Sequence, residues 1–94
     1  MSLAWTEFVD DIEYVYGREP RRLLEVSHAL DGLGIAPSEL ELQRVLGWSP
    51  NQIAQARQGL IHGLLVSLRD PTAEQPALLS RLLAQLMADH LQIA

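Results

Sequence analysis

Within "PSELELQRVLGWSPNQIAQARQGL", residues 37–60, Ser38 is followed three positions later by Glu41, and Ser49 by Gln52. In each pair the serine hydroxyl can accept from the backbone N–H three residues on, while the longer side chain accepts from the serine's own N–H. The result is a capping box, which fixes where a helix begins. Pro50 suits the first helical position, where its missing N–H costs nothing. Gly47 suits the left-handed residue that closes a helix. A helix starting after Ser38, a tight turn at Gly47 and Trp48, and a second helix starting after Ser49 are therefore written into the chain. Trp48 is expected to be mostly buried, its indole covering both helix ends.

The flanking segments repeat the helical period. In "SLAWTEFVDDIEYVYG", Trp5, Phe8, Val9, Ile12, Val15 and Tyr16 recur at three and four, with Gly17 as a stop. The opposite side carries Glu7, Asp10, Asp11 and Glu13, an acidic face that is either solvated or a docking face for a basic partner. "EPRRLLEVSHALDGLG" opens on Pro20, runs through Leu23, Val26, Leu30 and Leu33, and ends at Gly32 and Gly34. After Ser49, the residues Ile53, Leu60, Ile61, Leu64, Leu65 and Leu68 hold helical spacing. Gly59 and Gly63 either mark a groove where another helix approaches closely, or Gly63 ends the helix. "DPTAEQP" is the clearest break, and Leu79, Leu82, Leu83, Leu86 and Met87 follow it at helical spacing, with Leu78 and Leu91 broadening the stripe. No window alternates with period two. The expected fold is a single all-α domain of five helices over residues 1–94, with the fourth helix near the centre.

Residues 40–60 resemble the helix-turn-helix unit of bacterial transcription regulators. Leu42, Leu46, Trp48, Ile53 and Leu60 fall where that unit has apolar groups, and Gly47 falls on its turn. The likeness covers about a fifth of the chain and singles out no one family. Gln43 stands where the unit usually has a small residue, and Arg57 lies toward the buried side where an apolar one is usual. A winged-helix regulator, α+β, would continue through a strand and a hairpin, and "GLLVSLRDPTAEQP" has that outline; it is the alternative fold.

The resemblance implies a recognition helix in a major groove. With Ile53 facing inward, the outward side holds Asn51, Gln55, Gln58 and His62, flanked by Gln52. Asn51, Gln52, Gln55 and Gln58 would then contact bases, since Asn and Gln can bond adenine edges in pairs, and Arg44, Arg57 and Arg69 would contact phosphates. Charge opposes this: acids number 12 against 7 cations, all arginine, for a formal charge of −5. Phosphate contacts supply most of the affinity, so binding per subunit would be weak and a dimer would be needed.

Other chemistry finds little support. His28, His62 and His90 are far apart and form no ligand spacing, there is no cysteine, and neither GxGxxG nor GxxxxGK[ST] occurs, so no metal, cofactor or catalytic role is assigned. No apolar run is long enough for a bilayer, and no signal sequence is evident, which makes the cytoplasm the default compartment. Met1 to Leu3 are given no functional weight. A chain of 94 residues buries only about 60–65% of its unfolded surface, so association would help it.

The leading expectation is thus a small acidic adaptor, chaperone-like subunit or regulator, working as a homodimer or in a complex. Its expected interface comprises Leu64, Leu65, Leu68, Leu79, Leu83 and Leu86 with the Gly59 and Gly63 groove, unless those leucines fill the chain's own core.

Overall fold

Gly17 separates the first two apolar stripes by a single residue. Its backbone, at φ 105° and ψ −179°, occupies a region that only glycine enters without strain, and it turns the chain back on itself. In this computed structural model, which describes the backbone of residues 3–73 and 75–93 and the side chains of 5–73 and 75–88, that turn joins α1 (Leu3–Tyr16) to α2 (Arg18–Gly32). Then come α3 (Glu39–Leu46), α4 (Pro50–Leu68) and α5 (Pro76–Ile93). Five helices and no strand are found among the described residues.

The all-α architecture expected from periodicity is present. The winged-helix alternative is not, because α4 runs unbroken through Gly63 to Leu68 where a strand would have started. The reason is local: Leu60, Gly63 and Leu64 are all buried on one side, and residues three apart share a face in a helix but point to opposite faces in a strand.

Helix α4 packs against all four others. Its Ile53, Ala56, Leu60 and Leu64 form the centre of one core, which Leu23 and Leu24 of α2, Leu42 of α3, and Leu79, Leu82 and Leu86 of α5 complete. From α1 come Trp5, Val9 and Ile12. A bidentate ion pair ties α5 to the end of α2: Arg81 donates from Nε to Asp31 Oδ1 at 3.1 Å and from Nη2 to Oδ2 at 2.9 Å. That guanidinium is the main reason the Asp31 carboxyl sits below its ordinary range. Near the start of α2, Arg21 binds Asp10 and Glu13 of α1.

Trp48 is half-buried against the core, less than its place in the turn suggested, since it covers the α3–α4 corner from outside. The part of the apolar stripe carried by Leu91 lies outside the described side chains.

Candidate functional site

The α3–α4 corner has the capped geometry that its sequence specifies. Glu41 N donates to Ser38 Oγ at 3.2 Å while Ser38 N donates to Glu41 Oε1 at 3.4 Å. Gln52 N donates to Ser49 Oγ at 3.2 Å, and Ser49 N donates to Gln52 Oε1 at 2.8 Å. Gly47 takes the left-handed conformation at φ 70° and closes α3.

Of the residues assigned to base contacts, Asn51, Gln55 and Gln58 are exposed on one face of α4. Gln52 is also exposed, but its carbonyl is occupied by the Ser49 N–H, so the cap competes with the reading role given to it.

The phosphate-binding set does not assemble. Arg57 is only 5% exposed, enclosed between α4 and α3, and its Nη2 lies 3.6 Å from Glu39 Oε1. A buried guanidinium held by a carboxylate cannot reach a phosphate, which corrects its assignment. Arg69 ends α4, 18 residues from Asn51, or about 27 Å along the axis. Arg44 alone of the three is exposed on the corner itself. Arg18 of α2, a cation that no spacing in the chain singled out, lines a shallow hollow beside Gln55, together with Glu19 and Tyr16. Only the crossing of α2 over α4 brings it there.

The expected interface is largely used up inside the chain. Leu64, Leu79 and Leu86 are buried in the core, and Leu68 and Leu83 are half-buried against it. Leu65, at 38%, is the most exposed of the set. The Gly59 and Gly63 groove is filled by the chain itself. A Cβ at Gly63 would collide with the Ile12 Cδ1 methyl and lie 3.0 Å from Tyr16 Cε2, and one at Gly59 would lie 3.2 Å from Pro20 Cγ. The groove is a close-approach device, but α1 and the start of α2 occupy it, not a second copy.

The apolar side chains left outside lie elsewhere. Leu33 at 73%, Leu40 at 55% and Val45 at 60%, with Ile35, are exposed along the end of α2, the connection and α3. Capping chemistry had fixed the ends of α3, but which of its leucines faced inward depended on where α4 lay.

A second feature had no signal in the sequence. Between α1 and the α4–α5 connection lies a cleft of about 260 Å³ with Trp5, Phe8, Ala73 and Leu79 on its walls and Glu7, Asp11 and Asp70 around it. The Trp5 and Phe8 ring centroids are 5.7 Å apart. Asp70 Oδ1 accepts from the Thr72 backbone N–H at 2.9 Å and from its hydroxyl at 2.8 Å. These two bonds, the backbone one foremost, hold the Asp70 carboxyl below its ordinary range and keep it charged.

His28 and His62 each pack against an aromatic side chain of α1. His28 stacks on Trp5 at 4.2 Å between centroids, and His62 Nδ1 lies 2.6 Å from the Tyr16 hydroxyl; the side chain of His90 lies outside those described. Among the described residues no group of His, Asp or Glu is placed to hold a metal ion, and no helix is long and apolar enough to cross a membrane. Comparison with protein-family models, curated proteins and solved structures found no match.

Proposed function

We propose that this chain is a small acidic protein–protein interaction module, acting as a homodimer or within a heteromeric complex. The observation that carries this reading is the exposure of Leu33, Ile35, Leu40 and Val45, four apolar side chains from the end of α2 to the end of α3. Leu40 and Val45 belong to α3, which among the described residues buries a single side chain, Leu42, in the core, while Leu33 and Ile35 lead into it from the end of α2. Apolar surface gains roughly 25 cal/mol for each Å² removed from water, so covering this run gives a partner a driving force that solvent does not.

Sedimentation of the intact chain and of the Leu40→Glu, Val45→Glu double variant tests it. Reversible self-association is expected at about tens of micromolar, weakened about tenfold or more in the variant by two buried charges. An unchanged association constant would overturn the assignment of this surface. A chain that stays monomeric at hundreds of micromolar leaves only the heteromeric form.

Sequence-specific DNA binding is the second reading, and the exposed row Asn51, Gln55 and Gln58, with Arg18 beside Gln55 and Arg44 exposed on α3, favours it. With so few exposed cations at this corner, binding would be weak and shallow in its salt dependence. Recovery of one palindromic sequence from random duplexes, lost on Gln55→Ala, would promote this reading over the first.

A further inference from the structure

The α1 flank that faces the α4–α5 connection differs in charge from the flank that faces α2. Helix α1 carries Glu7, Asp10, Asp11 and Glu13 and no basic residue. Arg21 takes up Asp10 and Glu13 on the α2 side. The carboxylates of Glu7 and Asp11 have no ion pair or hydrogen bond among the described residues, and both line the cleft, with Asp70 completing its rim. No arginine lines it.

Three further facts narrow what such a cleft can take. The three carboxylates do not converge closely enough to bind a metal ion together, so a compact ion is a poor fit. A delocalised cation fits better, because a guanidinium can lie against aromatic rings while its N–H groups reach separate carboxylates. At about 260 Å³ the cleft falls below the roughly 300–1,000 Å³ of pockets that enclose a whole small ligand, but holds many times the ~30 Å³ share of one water. That is the scale of one side chain delivered on a peptide. The formal charge of −5 adds long-range attraction for a basic segment and repels nucleic acid.

We infer that the Trp5, Phe8 and Leu79 cleft is a docking site for a basic segment of a protein partner, which places one arginine side chain against the partly exposed Phe8 ring, with Trp5, only 6% exposed, behind it and Glu7, Asp11 and Asp70 around its guanidinium. This rests on the reading of the chain as an interaction module, but uses a surface separate from α3. The cleft supplies specificity for charge, and the α3 run supplies apolar area.

The test is a titration of the full chain, followed by amide and indole NMR signals, with a short capped peptide of alanine and leucine carrying one arginine. The same peptide with citrulline, which keeps the shape and loses the charge, is the control. The arginine peptide is expected to shift the Trp5 indole and the Phe8 and Asp11 amides, and to bind about tenfold more tightly than the citrulline peptide. Asp11→Asn and Glu7→Gln, both at exposed positions that the core does not use, should each weaken it about threefold. Equal binding of both peptides would overturn the inference, as would no shift at about 10 mM peptide, a concentration well above the millimolar affinity of a weak single contact. Shifts confined to Leu40 and Val45 would also overturn it while leaving the interaction module standing. A cleft that binds arginine in a chain whose α3 variant associates unchanged would instead separate the two surfaces in the other direction.

Discussion

Helix α4 meets α1 and α3 by opposite means. Toward α1 and the start of α2 its side chains disappear: Gly59 and Gly63 let Ile12, Tyr16 and Pro20 come so near that a single methyl group would touch them. Toward α3 it inserts the long charged side chain of Arg57, whose Nε and Nη2 are buried without a hydrogen-bond acceptor and whose nearest carboxylate, on Glu39, is 3.6 Å away. The first seam buries apolar surface with nothing to desolvate. The second takes a guanidinium out of water and returns an ion pair too long to be a hydrogen bond, so its desolvation is only partly offset. One helix thus holds one neighbour tightly and the other loosely, and the loosely held neighbour carries the exposed apolar run.

The sharpest way to break this contrast is at the tight seam. Gly63→Val should cost about 2–3 kcal/mol in denaturant melts, because its Cβ alone would already collide with the Ile12 Cδ1 methyl and crowd the Tyr16 ring. A loss below about 0.5 kcal/mol would show that the seam yields and the contrast is false.

At the corner of the loose seam, Trp48→Ala should cost about 2 kcal/mol, less than the roughly 3–5 kcal/mol of a deeply buried aromatic, since the indole is only partly buried. A full-sized loss would mean that the corner packs as tightly as α1 does. Ser49→Ala should cost about 1 kcal/mol, read from the same melts, because it frees one end of the cap at 3.2 Å. No change would show that the box contributes nothing to holding the turn.

The smallest effect is expected at Arg57 itself. Arg57→Met keeps the length of the stem, removes the unsatisfied N–H groups and leaves Glu39 partly open to water, so stability should be unchanged or raised by up to about 1 kcal/mol. A loss above about 2 kcal/mol would make the ion pair an anchor and reverse the comparison.

These pairs also show what could be foreseen from the chain. The caps at Ser38 and Ser49 and the inward position of Arg57 were legible because each depends on residues within two turns of itself. The Gly59 and Gly63 pair announced a close approach, but nothing local said whether α1 or another molecule made it. The same limit hid the fate of the leucines: Leu64 and Leu65 are neighbours with identical side chains, and only the placement of α2 and α5 buries one and leaves the other partly out. The cleft beside Phe8 was illegible as a cavity, because its walls come from residues as distant as Trp5 and Leu79; Glu7 and Asp11 could be read only as part of an acidic face, solvated or open to a basic partner, with no sign that Asp70 joins them.

The single-residue turn at Gly17 also bears on the order in which the molecule forms. Bringing α1 against α2 closes almost no loop, so the entropy lost in their encounter is the smallest of any helix pair here. Arg21 can find Asp10 and Glu13 as soon as two helical turns exist on either side. This hairpin is then the natural early nucleus, formed on the microsecond scale of local helical contacts. Helix α4 must arrive later, from across the α2–α3 connection and α3, to slide its glycines onto a surface already built.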